Sequence, residues 1–150
     1  MDEAGVNMDP VPSFELKPHH GGISVPDLDA SIVWYRDMLG FTVDLVMDIP
    51  ADTGRLAMLK NGDFRVELFE VPGAAPLPDD RRYVEKDIRT HGMKHMAYVV
   101  RDVETLIGEL RVRGVDIVWD VQEHGGMKAA FVRDNSSNLV ELMEGFECGH

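Results

Sequence analysis

Two histidines and two glutamates stand at matching places in two similar halves of the chain. His20 opens one apolar segment, and His95 opens a similar one 75 positions later. Each glutamate is the centre of a Val-Glu-Leu triplet, with Glu67 in the first half and Glu141 in the second, 74 positions later. Two imidazoles and two carboxylates form an N/O donor set for a divalent metal ion. A chain that contains the same unit twice predicts that these four side chains meet.

The same repeat predicts how each half folds. Asp27 and Asp102, each seven positions after a histidine, are expected to cap helices that end at Gly40 and Gly114. Alternation and turn residues predict strands on either side of each helix, so each half reads as β-α-β-β-β. The predicted strands are 19–25, 41–47, 55–60 and 64–70 in the first half, and 95–100, 115–120, 127–133 and 138–144 in the second.

These elements define the expected organisation, an α+β fold with two paired βαβββ modules in a single domain over residues 18–150. Module one spans 19–71, and module two spans 95–144. The connection at 72–94 begins with three prolines and is expected to contain a short helix at 81–86. A flexible arm is expected at 1–17, because that segment has no period.

Strand alternation predicts which way the glutamates point. Glu67 lies opposite Val66 and Leu68, and Glu141 is likewise opposite its own apolar neighbours. A carboxylate on an apolar strand is costly to bury without a partner, and a divalent metal would be such a partner. The donors suit Zn, Ni, Co, Mn or Fe(II), and a set without thiolates is typical of catalytic metals with an open position. His19, next to His20, could compete with it as a ligand.

Composition narrows the classes of function and of location. The net charge of −12 argues against nucleic-acid binding, which usually needs a basic surface. The single cysteine, Cys148, excludes an intrachain disulfide and favours a reducing, cytoplasmic location. No apolar run is long enough to span a membrane, and no signal peptide is expected before the first module, because the N-terminal residues lack a basic region followed by an apolar core. A small-molecule substrate is the expected partner.

The repeated motifs resemble the vicinal oxygen chelate superfamily, which includes glyoxalases, bleomycin resistance proteins and extradiol dioxygenases. The matching pieces cover 19–144 and read H-G-G-I-S-V-P-D-L-D-A-S-I-V-W-Y-R-D-M-L-G-F at 20–41, V-E-L at 66–68, H-M-A-Y-V-V-R-D-V at 95–103 and V-E-L at 140–142. The resemblance implies paired modules that curve around a metal cleft, and it implies a homodimer.

Within the superfamily, the His-Glu-His-Glu set resembles bacterial glyoxalase I. That resemblance implies a metal-dependent isomerase, epimerase or lyase that forms a metal-stabilised enolate on a small oxygenated substrate, with Glu141 or Glu67 moving the proton. The segment 83–95 is also similar to methylmalonyl-CoA epimerase. In glyoxalase I each site takes ligands from both chains, whereas in the epimerases one chain supplies all four, and the sequence leaves both arrangements open.

The sequence departs from both subfamilies at particular positions. Ser24 stands where glyoxalase I has an arginine for glutathione, and 55–60 lacks the proton-transferring glutamate of the epimerases. Two alternatives therefore remain: an Fe(II) or Mn(II) dioxygenase of aromatic catabolism, and a drug-binding protein of the resistance type without catalysis. The side chains that could bind an anionic part of a substrate are Arg55, Arg65, Arg82 and Lys128.

Overall fold

The computed structural model describes residues 17–49 and 53–145, and it contains two four-stranded sheets, each with one long helix. The predicted arm at 1–17, except its last residue, and most of the predicted loop at 50–54 lie outside the described residues. The elements are β1 His20–Ser24, α1 Leu28–Leu39, β2 Thr42–Asp48, β3 Arg55–Asn61, β4 Phe64–Glu70, α2 Val84–Asp87, β5 Met96–Val99, α3 Val103–Val112, β6 Asp116–His124, β7 Met127–Arg133 and β8 Leu139–Glu144.

The two sheets have the same topology, which confirms the duplicated βαβββ pattern. The strand order is β1-β4-β3-β2 in one sheet and β5-β8-β7-β6 in the other. In each sheet the first and last strands of the module pair in parallel, and the remaining pairs are antiparallel. This order places each predicted histidine strand directly beside its predicted glutamate strand.

The helix boundaries follow from their capping residues, as the sequence predicts. The Asp27 side chain accepts a hydrogen bond from the backbone N–H of Ala30, and Asp102 accepts one from Thr105. The hydrogen bonds from Thr105 also lower the pKa of Asp102. Gly40 ends α1 with a φ of 70°, a left-handed conformation that glycine adopts at little cost.

A second pair of capping carboxylates was not predicted. Glu70 accepts from the backbone N–H of Leu28 at 2.7 Å, and Glu144 accepts from that of Val103 at 2.9 Å. Each carboxylate thus binds the first residue of the helix in its own module, where the helix dipole favours negative charge. The sequence did contain a signal for these two caps, because a glutamate stands two positions after each V-E-L triplet.

Each helix covers one face of its sheet and leaves the other face open. Leu28 and Tyr35 of α1 pack with Val66 and Leu68 of β4, and α3 covers β7 and β8 in the same way. Because side chains alternate along a strand, the residues between these buried positions point to the open face. The open face of module two is partly covered by Val84 of α2, which packs with Phe131 and Leu139.

The modules are joined through α1 and the turn between β7 and β8. The Tyr35 hydroxyl donates to the Asp134 carboxylate at 3.0 Å in the interior, and Asn135 donates to Ser31 at 3.2 Å. Burial raises the pKa of Asp134 above its ordinary value, while hydrogen bonds from Asn138, Ser136 and Tyr35 partly offset that rise. The edge strands also approach each other, since a Cβ on Gly21 would lie 2.6 Å from the Met96 sulfur.

Replacing Tyr35 by phenylalanine should destabilise this junction in a pH-dependent way. The substitution removes a donor to a buried carboxylate, which at pH 7 costs about 2 kcal/mol of unfolding free energy. The folded-state pKa of Asp134 is already raised, so its proton is bound more tightly in the folded than in the unfolded chain. The variant raises the pKa of Asp134 further. The loss of unfolding free energy should therefore be complete at neutral pH, and it should shrink as the pH falls through the pKa of Asp134.

The measurement for this prediction is denaturant unfolding at pH 7 and near pH 4, with Tyr83→Phe as the control. Tyr83 is 40% exposed, and its hydroxyl takes part in no hydrogen bond among the described residues. The control should therefore match the unmodified protein at both pH values. An equal loss for Tyr35→Phe at both pH values would contradict the assigned role of Asp134.

Two segments differ in detail from the sequence-based prediction. The strand predicted at 115–120 runs on to His124, because it pairs with β7 through to Met127 with irregular register on the way. The short helix predicted at 81–86 is a 3₁₀ turn at Asp79–Arg82 followed by α2. None of the helices in the two described ranges is long and apolar enough to cross a membrane.

Candidate metal site

The first predicted pair, His20 and Glu67, comes together on the open face of module one. The His20 Nε2 atom lies 3.3 Å from the Glu67 Oε2 atom. The parallel register of β1 and β4 produces this contact, because Glu67 is paired with Gly22 and so shares a face with His20. The Glu67 side chain is 19% exposed and that of His20 is 38% exposed, so both remain accessible to an ion.

The second pair repeats this arrangement in module two. His95 Nε2 lies 2.9 Å from Glu141 Oε2, and both side chains are more buried than in the first pair, at 24% and 17% exposure. His95 directly precedes β5, and Glu141 is paired with Ala97 on the neighbouring strand. The Phe131 ring meets the His95 ring edge to face at a centroid distance of 4.8 Å, which restricts the imidazole orientation.

The four predicted ligands form two pairs, and the structure does not gather them into one group. Over 17–49 and 53–145, no three or more His, Cys, Asp or Glu side chains are arranged to hold one metal ion. Each pair alone offers one imidazole nitrogen and carboxylate oxygens, which is half of a four-ligand N/O set. The four-ligand site therefore stays a prediction. If the two pairs came together, their nitrogen and oxygen donors would suit a divalent cation.

His19 lies against His20, on the side of the His20 ring away from Glu67. The His19 Nδ1 atom lies 2.7 Å from the His20 Nδ1 atom, so one ring donates to the other. This contact engages one nitrogen of His20 and leaves the other, Nε2, facing Glu67. Partners of this kind fix the tautomer and orientation of histidine ligands in metal sites.

A buried ion cluster that the sequence did not predict anchors the backbone before His95. Asp87 is 2% exposed, and its carboxylate accepts from Arg81 Nε at 3.1 Å and Lys94 Nζ at 3.2 Å. Arg81 also donates to the Met93 carbonyl at 2.7 Å. No periodic pattern marks these residues, since they come from the connection between the modules, whose helical turns are short. The cluster holds the two residues that precede His95.

Replacing Asp87 by asparagine should lower the free energy of unfolding by about 2 kcal/mol, because two cations lose a buried carboxylate. The matched control is Asp80→Asn, since Asp80 is 71% exposed and 3.8 Å from Lys86. Chemical denaturation would measure both variants against the unmodified chain. If the Asp87→Asn and Asp80→Asn variants had the same free energy of unfolding, Asp87 would have no anchoring role.

Three of the four candidate anion-binding cations are already paired with carboxylates. Arg55 donates to Asp29 and Glu70, Arg65 donates to Asp44 at 3.1 Å, and Lys128 lies 3.3 Å from Glu104. Arg82 differs, because its nearest carboxylate, that of Asp79, is 3.8 Å away and almost fully exposed. Of these candidates, Arg82 is therefore the cation without a short ion pair in the described part of the chain.

Comparison with known proteins agrees with the fold. The family model of the glyoxalase/bleomycin resistance protein/dioxygenase superfamily matches residues 17–142. The chain is 26% identical over 129 residues to mitochondrial methylmalonyl-CoA epimerase of Mus musculus, covering 83% of this chain and 70% of that protein. It is 28% identical over 127 residues to a probable lactoylglutathione lyase of Synechocystis, covering 83% and 92%.

A solved structure extends this likeness to both modules. The trypanothione-dependent glyoxalase I of Leishmania major aligns with a TM-score of 0.69 and 29% identity, covering 87% of each chain. The match includes both sheets, so the way the two modules sit within one chain is also similar. The chain therefore belongs to the glyoxalase/bleomycin resistance protein/dioxygenase superfamily.

Proposed function

We propose that the protein is a metal-dependent isomerase, epimerase or lyase of the glyoxalase type. The observation that carries this proposal is the pair of His–Glu contacts, at 3.3 and 2.9 Å, on equivalent strands of the two modules. The residues that would hold the metal are His20, Glu67, His95 and Glu141. When bound there, a divalent metal supplies Lewis-acid polarisation of a substrate carbonyl.

The protein's own groups supply the proton transfer. Glu67 and Glu141 are themselves proposed ligands, and either of them, once released from the metal, could take a proton from the carbon beside the carbonyl. Their partial burial limits competition from water, and the Phe131 ring beside His95 adds an apolar wall. Delivery of a proton to the same carbon on the opposite face of the enolate, for example by the second carboxylate, gives epimerisation, and delivery to the neighbouring carbon gives isomerisation.

We also propose that the site forms between two copies of the chain, with His20 and Glu67 from one and His95 and Glu141 from the other. The separation of the two pairs within one chain supports this arrangement. The similarity to a glyoxalase I chain over both modules also supports it. Apolar side chains of β2 between 40% and 49% exposed are available for the contact, namely Val43, Leu45, Val46 and Met47.

The proposal is tested by metal analysis followed by assays with and without chelator. We expect about one Zn, Ni or Co ion per chain by elemental mass spectrometry on untagged protein. The first substrates to assay are methylmalonyl-CoA for epimerisation and the glutathione adduct of methylglyoxal for lyase activity. Turnover should disappear with chelator and return with metal. A protein that takes up no metal even after reloading would overturn the proposal.

The same experiment separates the two alternatives. Bound iron with oxygen consumption on a catechol would indicate a dioxygenase. Stoichiometric binding of a drug without turnover or metal dependence would indicate a resistance-type binding protein. Two partly buried carboxylates facing histidines argue for a metal enzyme, because a binding protein has no need of them. Cytoplasmic location stays a prediction.

A further inference from the structure

The open face of module one carries two cations beside the His20–Glu67 pair. Arg65 stands two positions before Glu67 on β4, and the parallel register places it next to His20 on β1. Residues two positions apart on one face of a strand are about 6–7 Å apart. Lys60 lies directly opposite Arg65 on β3, so its side chain belongs to the same face. The proposed metal chemistry gives neither cation a role.

The Arg65 guanidinium is held in place, but most of its donors are free. Its Nε donates to the Asp44 carboxylate at 3.1 Å, and the side chain is 23% exposed. Its Nη1 and Nη2 atoms make no hydrogen bond in the described part of the chain, and neither atom is buried. Arg55, by contrast, uses Nε and both Nη atoms on two carboxylates. Arg65 therefore presents an oriented edge of N–H donors that a ligand can reach.

The charges of this face favour an anion once the metal is bound. The ionisable side chains among its described residues are His20, Asp44, Lys60, Arg65 and Glu67. Since Glu67 is taken up by the proposed metal, two cations stand against one carboxylate, that of Asp44, which is 46% exposed. Asp63, in the exposed turn between β3 and β4, forms no ion pair with either cation. Like charges directly opposite each other on paired strands are destabilising, and an anion bound between them would relieve that repulsion.

We propose that Arg65 binds a carboxylate of the substrate, supported by the charge of Lys60, so that the substrate is a small carbonyl compound that is also a carboxylic acid. This inference rests on the proposed function, because it takes the carbonyl oxygen to lie at the metal. The planar edge of a guanidinium matches the two oxygens of a carboxylate. The spacing along β4 places that carboxylate a few bonds from the metal-bound oxygen, an arrangement that 2-oxo and 3-oxo acids have.

The test is calorimetric titration of the metal-loaded whole chain with acids and with their neutral amides. The probes are pyruvate against pyruvamide and acetoacetate against acetoacetamide. We expect at least one acid to bind about tenfold or more tightly than its amide. Arg65→Met should remove that preference and Lys60→Met should reduce it several-fold, with the metal content of both variants unchanged. The matched control is Arg113→Met, which removes the same charge from an exposed position after α3 and should keep the preference.

Asp44→Asn separates carboxylate binding from a purely structural role of Arg65. If Arg65 binds the substrate, Asp44 competes with that substrate for the guanidinium, so Asp44→Asn should bind the acid at least as tightly as the unmodified protein does. If Arg65 served only its ion pair with Asp44, the two variants would behave alike. The melting temperature of Arg65→Met should change little, because an ion pair with a half-exposed partner contributes little to stability.

The possible failures of this inference and of the proposed function are distinct. A metal-loaded protein that binds acids and amides equally well would overturn the role of Arg65 and leave the proposed reaction standing. The same holds if Arg65→Met keeps the preference, if Arg113→Met loses it equally, or if Asp44→Asn weakens acid binding as much as Arg65→Met does. A protein that takes up no metal would overturn the proposed function, and this inference with it.

Discussion

Replacing His95 by alanine is expected to weaken metal binding by two orders of magnitude or more and to abolish turnover. Loss of a mere supporting partner typically weakens a metal site about 10–100-fold, and loss of a ligand should exceed that range. The substitution removes the imidazole nitrogen 2.9 Å from Glu141 and leaves a carboxylate with 17% exposure without its partner. The measurement is the metal dissociation constant, by competition with a chelator of known affinity, for both proteins.

His124→Ala is the matched control for this experiment. His124 is an exposed imidazole at the end of β6, with no hydrogen bond or ion pair from its side chain in the described residues. It should bind metal as the unmodified protein does. Retention of tight binding by His95→Ala, with circular dichroism unchanged, would exclude His95 from the ligand set.

The sequence predicted the features of the fold that repeat. The spacing of His20 to His95 and of the V-E-L triplets reflects a unit that folds twice, and the structure pairs each histidine with the expected glutamate. The helix caps at Asp27 and Asp102 were predictable because capping is local chemistry. Local rules transfer directly from sequence to structure, since they depend on neighbouring residues alone.

Features that depend on tertiary packing, and not on a repeated local pattern, were not predictable. Asp87 has no periodic neighbours, and its partners Arg81 and Lys94 are brought together by the fold of the connection. Asp134 reads as an ordinary turn residue, yet it is buried against Tyr35 from the other module. The position of one His–Glu pair relative to the other likewise depends on how the two modules pack. Strand alternation gives the face of each side chain but not the distance between modules.

Whether the two His–Glu pairs meet within one chain or between two copies can be tested with a dimer that combines two inactive variants. Glu67→Gln and Glu141→Gln should each lower turnover by about 100-fold or more, because each removes a ligand and a candidate base. Co-expressed with different affinity tags, they form a heterodimer that tandem purification isolates. If each site takes one pair from each copy, one site carries both substitutions and the other carries neither.

The heterodimer of Glu67→Gln and Glu141→Gln should therefore recover about half of the unmodified dimer's activity, since a two-fold dimer has two equivalent sites. The matched control combines His20→Ala with Glu67→Gln, both in the first module, so that each site receives one damaged pair and activity stays low. If one chain supplied all four ligands, both heterodimers would be inactive, because every chain would carry a damaged site. Recovery in the first heterodimer alone identifies a site built from two copies, and failure of both assigns the four ligands to a single chain.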